Sequence, residues 1–325
     1  DDHVCWRNNL YEQGETWPRS VKIAWTPKPE TGTDVGLVRY KKGDAGVQWP
    51  LADGSAWVLA PQEGNDLYAA VTGSIVYVDP QNGSDAELND GSVEKPWKTL
   101  QKAVTRDDSA HALIIAREGD YNSSGAFDTT WQDVANRVLV SPKASIRVVA
   151  EKGPDETFIT GAADLVTPVD GNAYGIGPSA VRCVAVQNGA CCAFQGFTLR
   201  DGHSSMKSGD GDCLGAHGAA FLNGYDDKNY KGGWLLDCVV ANCVASRGAA
   251  AYGGIAERTL FADNQATRYG VFRYAELRSC LVRGNKAVQQ AIFADISEAY
   301  NTTFVTDGAK LYVDGTLMLS RRLYE

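Results

Sequence analysis

The chain has 325 residues, of which 44% are hydrophobic and 22% charged, so it can bury a sizeable core and is not globally disordered. Its 40 acidic residues outnumber its 31 Lys and Arg residues, and the net charge of −9 argues against a nucleic-acid-binding protein, which needs a basic surface. No apolar run approaches the roughly 20 residues of a membrane-spanning helix. The chain begins at Asp1 without Met, so we expect it to be a processed or trimmed chain.

The first 73 residues differ in composition from the rest of the chain. Five of the eight Trp and five of the eleven Pro residues precede residue 62. Alternating segments at residues 21–25 and 36–40 predict short strands between turns. The stretch from Ser20 to Tyr40 weakly resembles the front half of a fibronectin type III module. A small β domain of another kind, packed on the remainder of the chain, is an equally weighted alternative.

From Ser74 the order of segments becomes distinctive. A predicted strand is followed by two turns rich in Gly and Asp, a run containing Pro and Trp, a short predicted helix, a second strand and a turn. These segments are Ile75–Pro80, Gly83–Asp85, Asn89–Ser92, Lys95–Leu100, Gln101–Arg106, Leu113–Ala116 and Arg117–Tyr121.

This order resembles the opening of many pectate-lyase-like right-handed parallel β-helix proteins. In that family a strand, a Gly/Asp-rich loop and a short helix cap the first coil, which protects a strand edge that would otherwise recruit another chain. The resemblance implies an all-β fold, namely a right-handed parallel β-helix (solenoid) over residues 74–315. A small N-terminal β domain over 1–73 precedes it, and a tail over 316–325 comes after it. The resemblance also implies a bacterial protein that is secreted or held at the cell surface.

Internal repeats predict the same fold independently. One series begins at Cys238, Thr259 and Cys280 in steps of 21 residues, and continues more loosely at Thr303 after a step of 23. A second strand series keeps step with the first at residues 249–252, 270–273 and 291–294. A period of 21 residues with two or three short strands is typical of a β-solenoid. Phe272 and Phe293, one repeat apart, should therefore stack inside it.

The repeat also bears on the eight cysteines. Cys238 and Cys280 share a phase two coils apart, which places them about 9.6 Å from each other, whereas a disulfide needs Cα atoms within about 7 Å. We therefore expect two free thiols, packed inside as small hydrophobic groups or lying on a turn. A bridge involving Cys191, Cys192 or Cys213 stays open.

An insertion interrupts the repeat. Phe197 and Cys238 share a phase but lie 41 residues apart, which is one coil plus about 20 extra residues. The extra segments, His203–Gly215 and Asn223–Gly233, are polar and rich in Gly. Their carboxylates are candidate ligands for Ca²⁺, which takes 6 to 8 oxygen atoms, and the alternative is a solvated acidic loop. The candidate metal ligands are Asp210, Asp212, Asp226 and Asp227.

The resemblance implies a way in which these residues could act. In lyases of this superfamily Ca²⁺ binds a uronate carboxylate, and a Lys or Arg removes the neighbouring proton. Arg247 and Arg268 are 21 residues apart, so we expect them to stack on successive coils as base or carboxylate clamp. His217 is a further catalytic candidate, although a histidine at a strand start is more often structural. The Asp-Asp-Gly signature of the family is absent, because residues 246–250 read Ser-Arg-Gly-Ala-Ala.

Aromatic residues around the insertion indicate a second role. Flat rings exposed along a solenoid would stack on sugar rings, and the alternative is that they fill gaps between loops. The candidate substrate-binding residues are Tyr225, Tyr230, Tyr252 and Arg273, with Trp234, Tyr269 and Tyr274 nearby. These patterns leave two hypotheses. One is a polysaccharide lyase or glycoside hydrolase acting on a polysaccharide, and the other is a non-catalytic module that binds a cell-surface glycan.

Overall fold

The structure is a computed structural model. It describes residues 21–28, 32–39, 56–62, 65–71, 75–105, 110–128, 134–142, 144–171, 173–205, 214–224, 232–289, 291–294, 297–305 and 317–320.

Four strands in the N-terminal region form two hairpins. Strand β1 (Val21–Lys28) pairs with β2 (Gly32–Arg39), and β3 (Ala56–Gln62) pairs with β4 (Asn65–Val71), both antiparallel. The strands predicted at residues 21–25 and 36–40 are therefore the two arms of one hairpin. Antiparallel hairpins are compatible with either kind of β domain expected here, so the fibronectin-like assignment and the boundary at residue 73 stay predictions.

The remaining strands form four sheets. Sheet I contains β5 (Ile75–Val78), β6 (Ala110–Ala116), β10 (Ser145–Ala150), β13 (Cys191–Gln195), β16 (Gly233–Leu236), β20 (Ile255–Glu257), β24 (Glu276–Arg278), β28 (Ser297–Tyr300) and β30 (Leu317–Ser320). Sheet II contains β7 (Gly119–Tyr121), β11 (Thr157–Thr160), β14 (Thr198–Arg200), β17 (Val239–Ala241), β21 (Leu260–Ala262), β25 (Leu281–Arg283) and β29 (Thr303–Val305). Sheet III contains β8 (Ala126–Asp128), β9 (Val134–Val140), β12 (Val181–Val186), β15 (Phe221–Asn223), β19 (Ala251–Tyr252), β23 (Phe272–Arg273) and β27 (Phe293–Ala294). Sheet IV contains β18 (Val244–Arg247), β22 (Gln265–Tyr269) and β26 (Lys286–Ala287).

These sheets are the faces of a parallel β-helix, as the sequence predicts. Each strand pairs with its counterpart one coil earlier and one coil later, and the described pairs are parallel except for β8 with β9. The pairing in sheet I extends to β30, which lies within the stretch where the sequence predicts a tail. Helical structure in the described residues is confined to α1 (Leu100–Val104) and a 3₁₀ helix (Leu214–Ala216), and no described helix is long and apolar enough to cross a membrane.

Left-handed backbone conformations make the corners of each coil. Fourteen residues at these corners have φ between 40° and 76°, a region that favours Gly and, among other residues, Asn and Asp. The corners between sheets I and II contain Gly196, Asp237, Arg258, Ser279 and Asn301, and those between sheets II and IV contain Asp201, Asn242, Asp263 and Gly284. The corners between sheets IV and III contain Gly218 and Gly248, and those between sheets III and I contain Gly224, Gly253 and Tyr274. The corners recur because the strands on successive coils are in register.

The core is a stack of inward-facing side chains inside the coils. The rings of Phe272 and Phe293 lie 4.8 Å apart at an interplanar angle of 19°, and the two side chains are 0% and 2% exposed. Phe261 packs edge-on against Phe272 at 4.8 Å, and Phe304 packs edge-on against Phe293 at 5.3 Å. The predicted stacking of Phe272 on Phe293 is confirmed.

Two polar ladders run along the corners inside the helix. In the first, the Cys243 and Asn264 backbone N–H groups donate to the side-chain oxygens of Asn264 and Asn285 respectively, each at 3.0 Å. In addition, the Asn264 amide donates to the Val240 carbonyl at 2.9 Å. These amides satisfy backbone groups that each corner removes from the strand pairing, so burial of the corner leaves fewer polar groups without partners.

The second ladder consists of small hydroxyl and thiol side chains. Cys238, Thr259, Cys280 and Thr302 each donate to the carbonyl two residues earlier, at distances of 3.1 to 3.3 Å. The predicted fourth repeat at Thr303 is wrong by one residue. Leu281 pairs with Thr303, so Thr302 is the counterpart of Cys280, and the step is 22 residues.

The first coil is capped as the resemblance implies. Helix α1 begins one residue earlier than predicted because the Thr99 side chain accepts a hydrogen bond from the Lys102 N–H and caps it. The Gln101 side chain accepts from the Leu139 N–H at 2.7 Å and donates to the Leu139 carbonyl at 3.2 Å. Gln101 thereby covers the part of the β9 edge that lies beyond its pairing with β8, which blunts that edge.

Replacing the stacked phenylalanine should destabilise the solenoid. We expect Phe272→Ala to lower the free energy of unfolding by about 3–5 kcal/mol, because the cavity would lie in a close-packed core. Phe127→Ala is the matched control: Phe127 is 59% exposed, so its loss should change stability by less than about 0.5 kcal/mol. Chemical denaturation measures both, and equal effects would contradict the assignment of the core.

The thiols of Cys238 and Cys280 should not react in the native protein. Both are free and buried, as predicted, and burial raises the pKa of each thiol to about 12. Because the thiolate is the reactive form, we expect iodoacetamide to alkylate both cysteines in denaturant but not under native conditions. Mass spectrometry of a non-reduced digest gives the result, and a peptide that links the two cysteines would overturn it.

Candidate functional site

The predicted site residues fall into two groups. Six of them lie outside the described residues, namely Asp210, Asp212, Tyr225, Asp226, Asp227 and Tyr230. The other five lie together on three successive coils: His217, Arg247, Tyr252, Arg268 and Arg273. With Tyr269 and Tyr274 these five form what we call the arginine–tyrosine cluster.

The cluster extends from the corner between sheets IV and III, across the outer side of sheet III, to the corner between sheets III and I. His217 forms an isolated parallel bridge with Arg247, which ends β18. Tyr252 ends β19 on the outer side of sheet III, and Arg273 is its in-register partner on β23. Because these strands are neighbours in parallel register, three separate segments of chain bring their side chains to one face.

The expected stacking of Arg268 on Arg247 is wrong. A register shift in the pairing of β18 with β22 places Tyr269, and not Arg268, opposite Arg247. The Arg247 guanidinium lies 4.5 Å from the centre of the Tyr269 ring, and the Arg268 guanidinium lies 5.3 Å from it. Both distances are within the range of cation–π attraction. Because of the register shift, the two arginines contact the same tyrosine ring and do not stack on each other.

A second group of rings lies beside the first. The His217 and Tyr252 rings stack at 4.4 Å with an interplanar angle of 9°, and Tyr274 meets Tyr252 edge-on at 5.5 Å. The Arg273 guanidinium lies 5.5 Å from the Tyr252 ring centre and 5.1 Å from that of Tyr274, and it donates to the Tyr274 hydroxyl at 3.4 Å. His217 and Tyr252 are buried, whereas Arg273 and Tyr274 are half-buried and reach the surface.

A buried arginine supports the corner from inside. Arg182 is 1% exposed, and its guanidinium donates to the carbonyls of His217 and Gly218 and to the Asn136 side chain. A buried guanidinium is costly unless its donors are satisfied, and carbonyls of a corner can satisfy several of them. Sequence analysis did not single out Arg182, because no motif distinguishes it from a surface arginine.

Tyr274 adopts an unusual backbone conformation. Its φ is +54°, and Gly253 occupies the same corner one coil earlier with φ +72°. A bulky residue in the left-handed region costs of order 1 kcal/mol, so the surrounding contacts must hold it there. This corner differs from the other left-handed corners of the described residues in that it places an aromatic ring at the surface of the cluster.

The electrostatics of the cluster are cationic. Burial is the largest cause that lowers the pKa of His217, to about 2. The guanidinium groups of Arg273, Arg247 and Arg182 lower it further. The imidazole is therefore neutral at neutral pH, and this pKa disfavours a role as general acid or base, which needs a pKa near the working pH.

The described residues do not supply a metal site. Among them, no three or more His, Cys, Asp and Glu side chains are grouped so as to hold a metal ion. The four aspartates predicted to bind Ca²⁺ are not among the described residues, so the calcium site stays a prediction, and no step of the proposed function depends on the ion.

Sequence analysis missed an ionic network on the outer face of sheet I. Arg258 donates to both carboxylate oxygens of Asp237, at 2.7 and 3.1 Å, and Arg278 donates to Glu276 at 2.6 Å. Arg258 also pairs with Glu257. The signal was a charged residue at the end of β20 and of β24 and directly after β16. Because each of these carboxylates accepts hydrogen bonds from a guanidinium, the network stabilises the coils and is not the better candidate site.

Comparisons with known proteins give little further guidance. No protein-family model and no curated protein matches the chain. Two crystal structures of GH136 lacto-N-biosidase from Eubacterium ramulus are similar to it: the selenomethionine derivative with 8% identity and a TM-score of 0.31, and the native protein with 11% and 0.28. The match covers 71% of this chain but 41% and 55% of those chains, so this chain spans about half their length. These similarities are too weak to assign an activity, and the fold rests on the pairing of the strands.

His217 should make stability depend on pH. Its pKa is about 2 when folded and about 6.5 when unfolded, so below pH 6.5 the unfolded chain binds a proton that the folded protein does not. Acidification from pH 7 to pH 4 should therefore lower the free energy of unfolding by about 3 kcal/mol through this residue. We expect His217→Gln to lose correspondingly less stability between these two pH values. Denaturation at both pH values tests this, and equal losses in the two proteins would contradict it.

Proposed function

We propose that the protein binds a glycan at the arginine–tyrosine cluster. The observation that carries the proposal is the presentation of two half-buried tyrosines, Tyr269 and Tyr274, beside the guanidinium groups of three arginines. A secreted or cell-surface location, and a polysaccharide or cell-surface glycan as the partner, belong to this proposal.

The chemistry of these side chains suits a sugar. A tyrosine ring offers a flat apolar face to the C–H groups of a sugar ring, and its hydroxyl offers a polar edge. An arginine offers a planar fork of N–H donors to hydroxyl or anionic oxygens. Since Tyr269 ends β22 and Tyr274 occupies the corner after β23 on the same coil, a chain of sugars could contact both rings.

Binding is better supported than catalysis by the described residues. The seven residues of the cluster include no carboxylate, and the neutral His217 imidazole is too weak a base for general catalysis. Arginine has a pKa above about 12, so it serves more readily as a clamp than as a base. Polysaccharide lyase or glycoside hydrolase activity remains the second candidate, and it would require the aspartates of the insertion, which begins beside the cluster in sequence.

Removal of the strained tyrosine should weaken glycan binding without unfolding the protein. A glycan array, with and without EDTA, first identifies a ligand, and calorimetry then compares the wild type with Tyr274→Gly. We expect affinity to fall about tenfold, because one aromatic contact is worth about 1 kcal/mol or slightly more. Glycine fits this corner, since Gly253 occupies it on the preceding coil.

A matched control separates the effect of losing the tyrosine ring from the effect of introducing glycine into the backbone. Asp263→Gly introduces glycine at another exposed left-handed corner, away from the cluster, and should leave affinity unchanged. If no glycan binds, or if Tyr274→Gly and Asp263→Gly bind equally well, the proposed site is wrong. Loss of binding in EDTA would instead favour the calcium-dependent alternative.

A further inference from the structure

We infer that the cluster selects an anionic sugar, one that carries a carboxylate or a sulfate group, and that Arg247, Arg268 and Arg273 bind this group directly without a bridging metal ion. This inference rests on the proposed glycan-binding function and adds the charge of the ligand.

The first support is the concentration of guanidinium groups on one face. Arg247 and Arg268 both lie against Tyr269, at 4.5 and 5.3 Å from its ring centre. Arg273 lies on the neighbouring strand of the same coil, 5.1 Å from the Tyr274 ring centre. All three arginines are half-buried. The three guanidinium groups therefore concentrate positive charge on one face of a chain whose net charge is −9.

The second support is the effect of these groups on a neighbouring side chain. The positive charges of Arg273 and Arg247 reach the buried His217 ring and, after burial itself, are the next causes of its low pKa. The same potential would stabilise an anion that enters the cluster, because charges interact more strongly where water is partly excluded. Glu276, a carboxylate that follows Tyr274 closely in sequence, accepts a hydrogen bond from Arg278 on sheet I.

The third support is the geometry of the side chains. A guanidinium donates two parallel hydrogen bonds to a carboxylate or sulfate, which fixes the orientation of the anion as well as attracting it. The tyrosines hold the arginine planes in place through cation–π contacts, so less side-chain freedom is lost when the ligand binds. A neutral sugar would use the tyrosines alone and would gain little from three ordered guanidinium groups.

The test compares ligands that differ only in charge. Oligosaccharides of equal length that are neutral, uronate-containing or sulfated are titrated into the protein by calorimetry, in EDTA, at 50 and 300 mM NaCl. We expect at least one acidic oligosaccharide to bind ten times more tightly than the neutral one at low salt, and this advantage to shrink at high salt. Preference for the uronate or for the sulfate then identifies the anionic group.

Variants assign the effect to the cluster. We expect Arg273→Gln to weaken binding of the acidic ligand about tenfold and that of the neutral ligand less than twofold. Arg268→Gln provides the same readout if Arg273→Gln does not fold. Arg283→Gln, which alters an exposed arginine on sheet II, is the matched control and should leave both affinities unchanged.

The possible results separate this inference from the proposed function. Equal binding of neutral and acidic ligands, independent of salt and of Arg273→Gln, would overturn the inference but leave the glycan-binding function standing. In parallel titrations without EDTA, acidic binding that is unaffected by Arg273→Gln and that EDTA abolishes would also overturn it, because a metal ion would then hold the anion. Absence of binding to every ligand would refute the proposed function itself.

Discussion

The register between successive coils is the constraint on which the rest of the structure depends. Because each strand pairs in parallel with its counterpart one coil away, many corners repeat the left-handed conformation of the equivalent corner on the neighbouring coil. Residues such as Asp263 and Gly284 occupy equivalent corners and adopt nearly the same φ, 58° and 61°. In-register pairing also places like side chains above one another, which produces the stacked phenylalanines and the asparagine ladder.

The candidate site is a local departure from this regularity. The register shift in β22 moves Tyr269 opposite Arg247, and the corner at Tyr274 holds a tyrosine where the preceding coil has Gly253. Both departures lie on one coil and bring aromatic and cationic side chains to the same face. A fold that repeats itself otherwise offers flat, uniform surfaces, so binding groups are best placed where the repeat is broken.

Burial of His217 stabilises the cluster at neutral pH and destabilises the folded protein at acidic pH. The His217 ring stacks on Tyr252, and nearby guanidinium groups oppose its protonation. Arg182 donates a hydrogen bond to the His217 carbonyl. The neutral ring packs well at neutral pH, but its resistance to protonation lowers the free energy of unfolding when the pH falls. The side chains that face solvent, Arg273 and Tyr274, are left to contact a ligand.

The sequence alone determined the solenoid, the stacking of Phe272 on Phe293 and the free thiols of Cys238 and Cys280, because a fixed period with paired strands specifies which residues share a column. It also singled out His217, Arg247 and Arg273. The tertiary structure decided which of these residues touch. One extra residue in β22 separates Arg268 from the column of Arg247, and one between Cys280 and Thr302 lengthens the last step. The periodic pattern showed that the last step is longer but misplaced its end by one residue, and it did not show the first change at all. Such irregularities are settled by hydrogen bonds and packing between neighbouring coils.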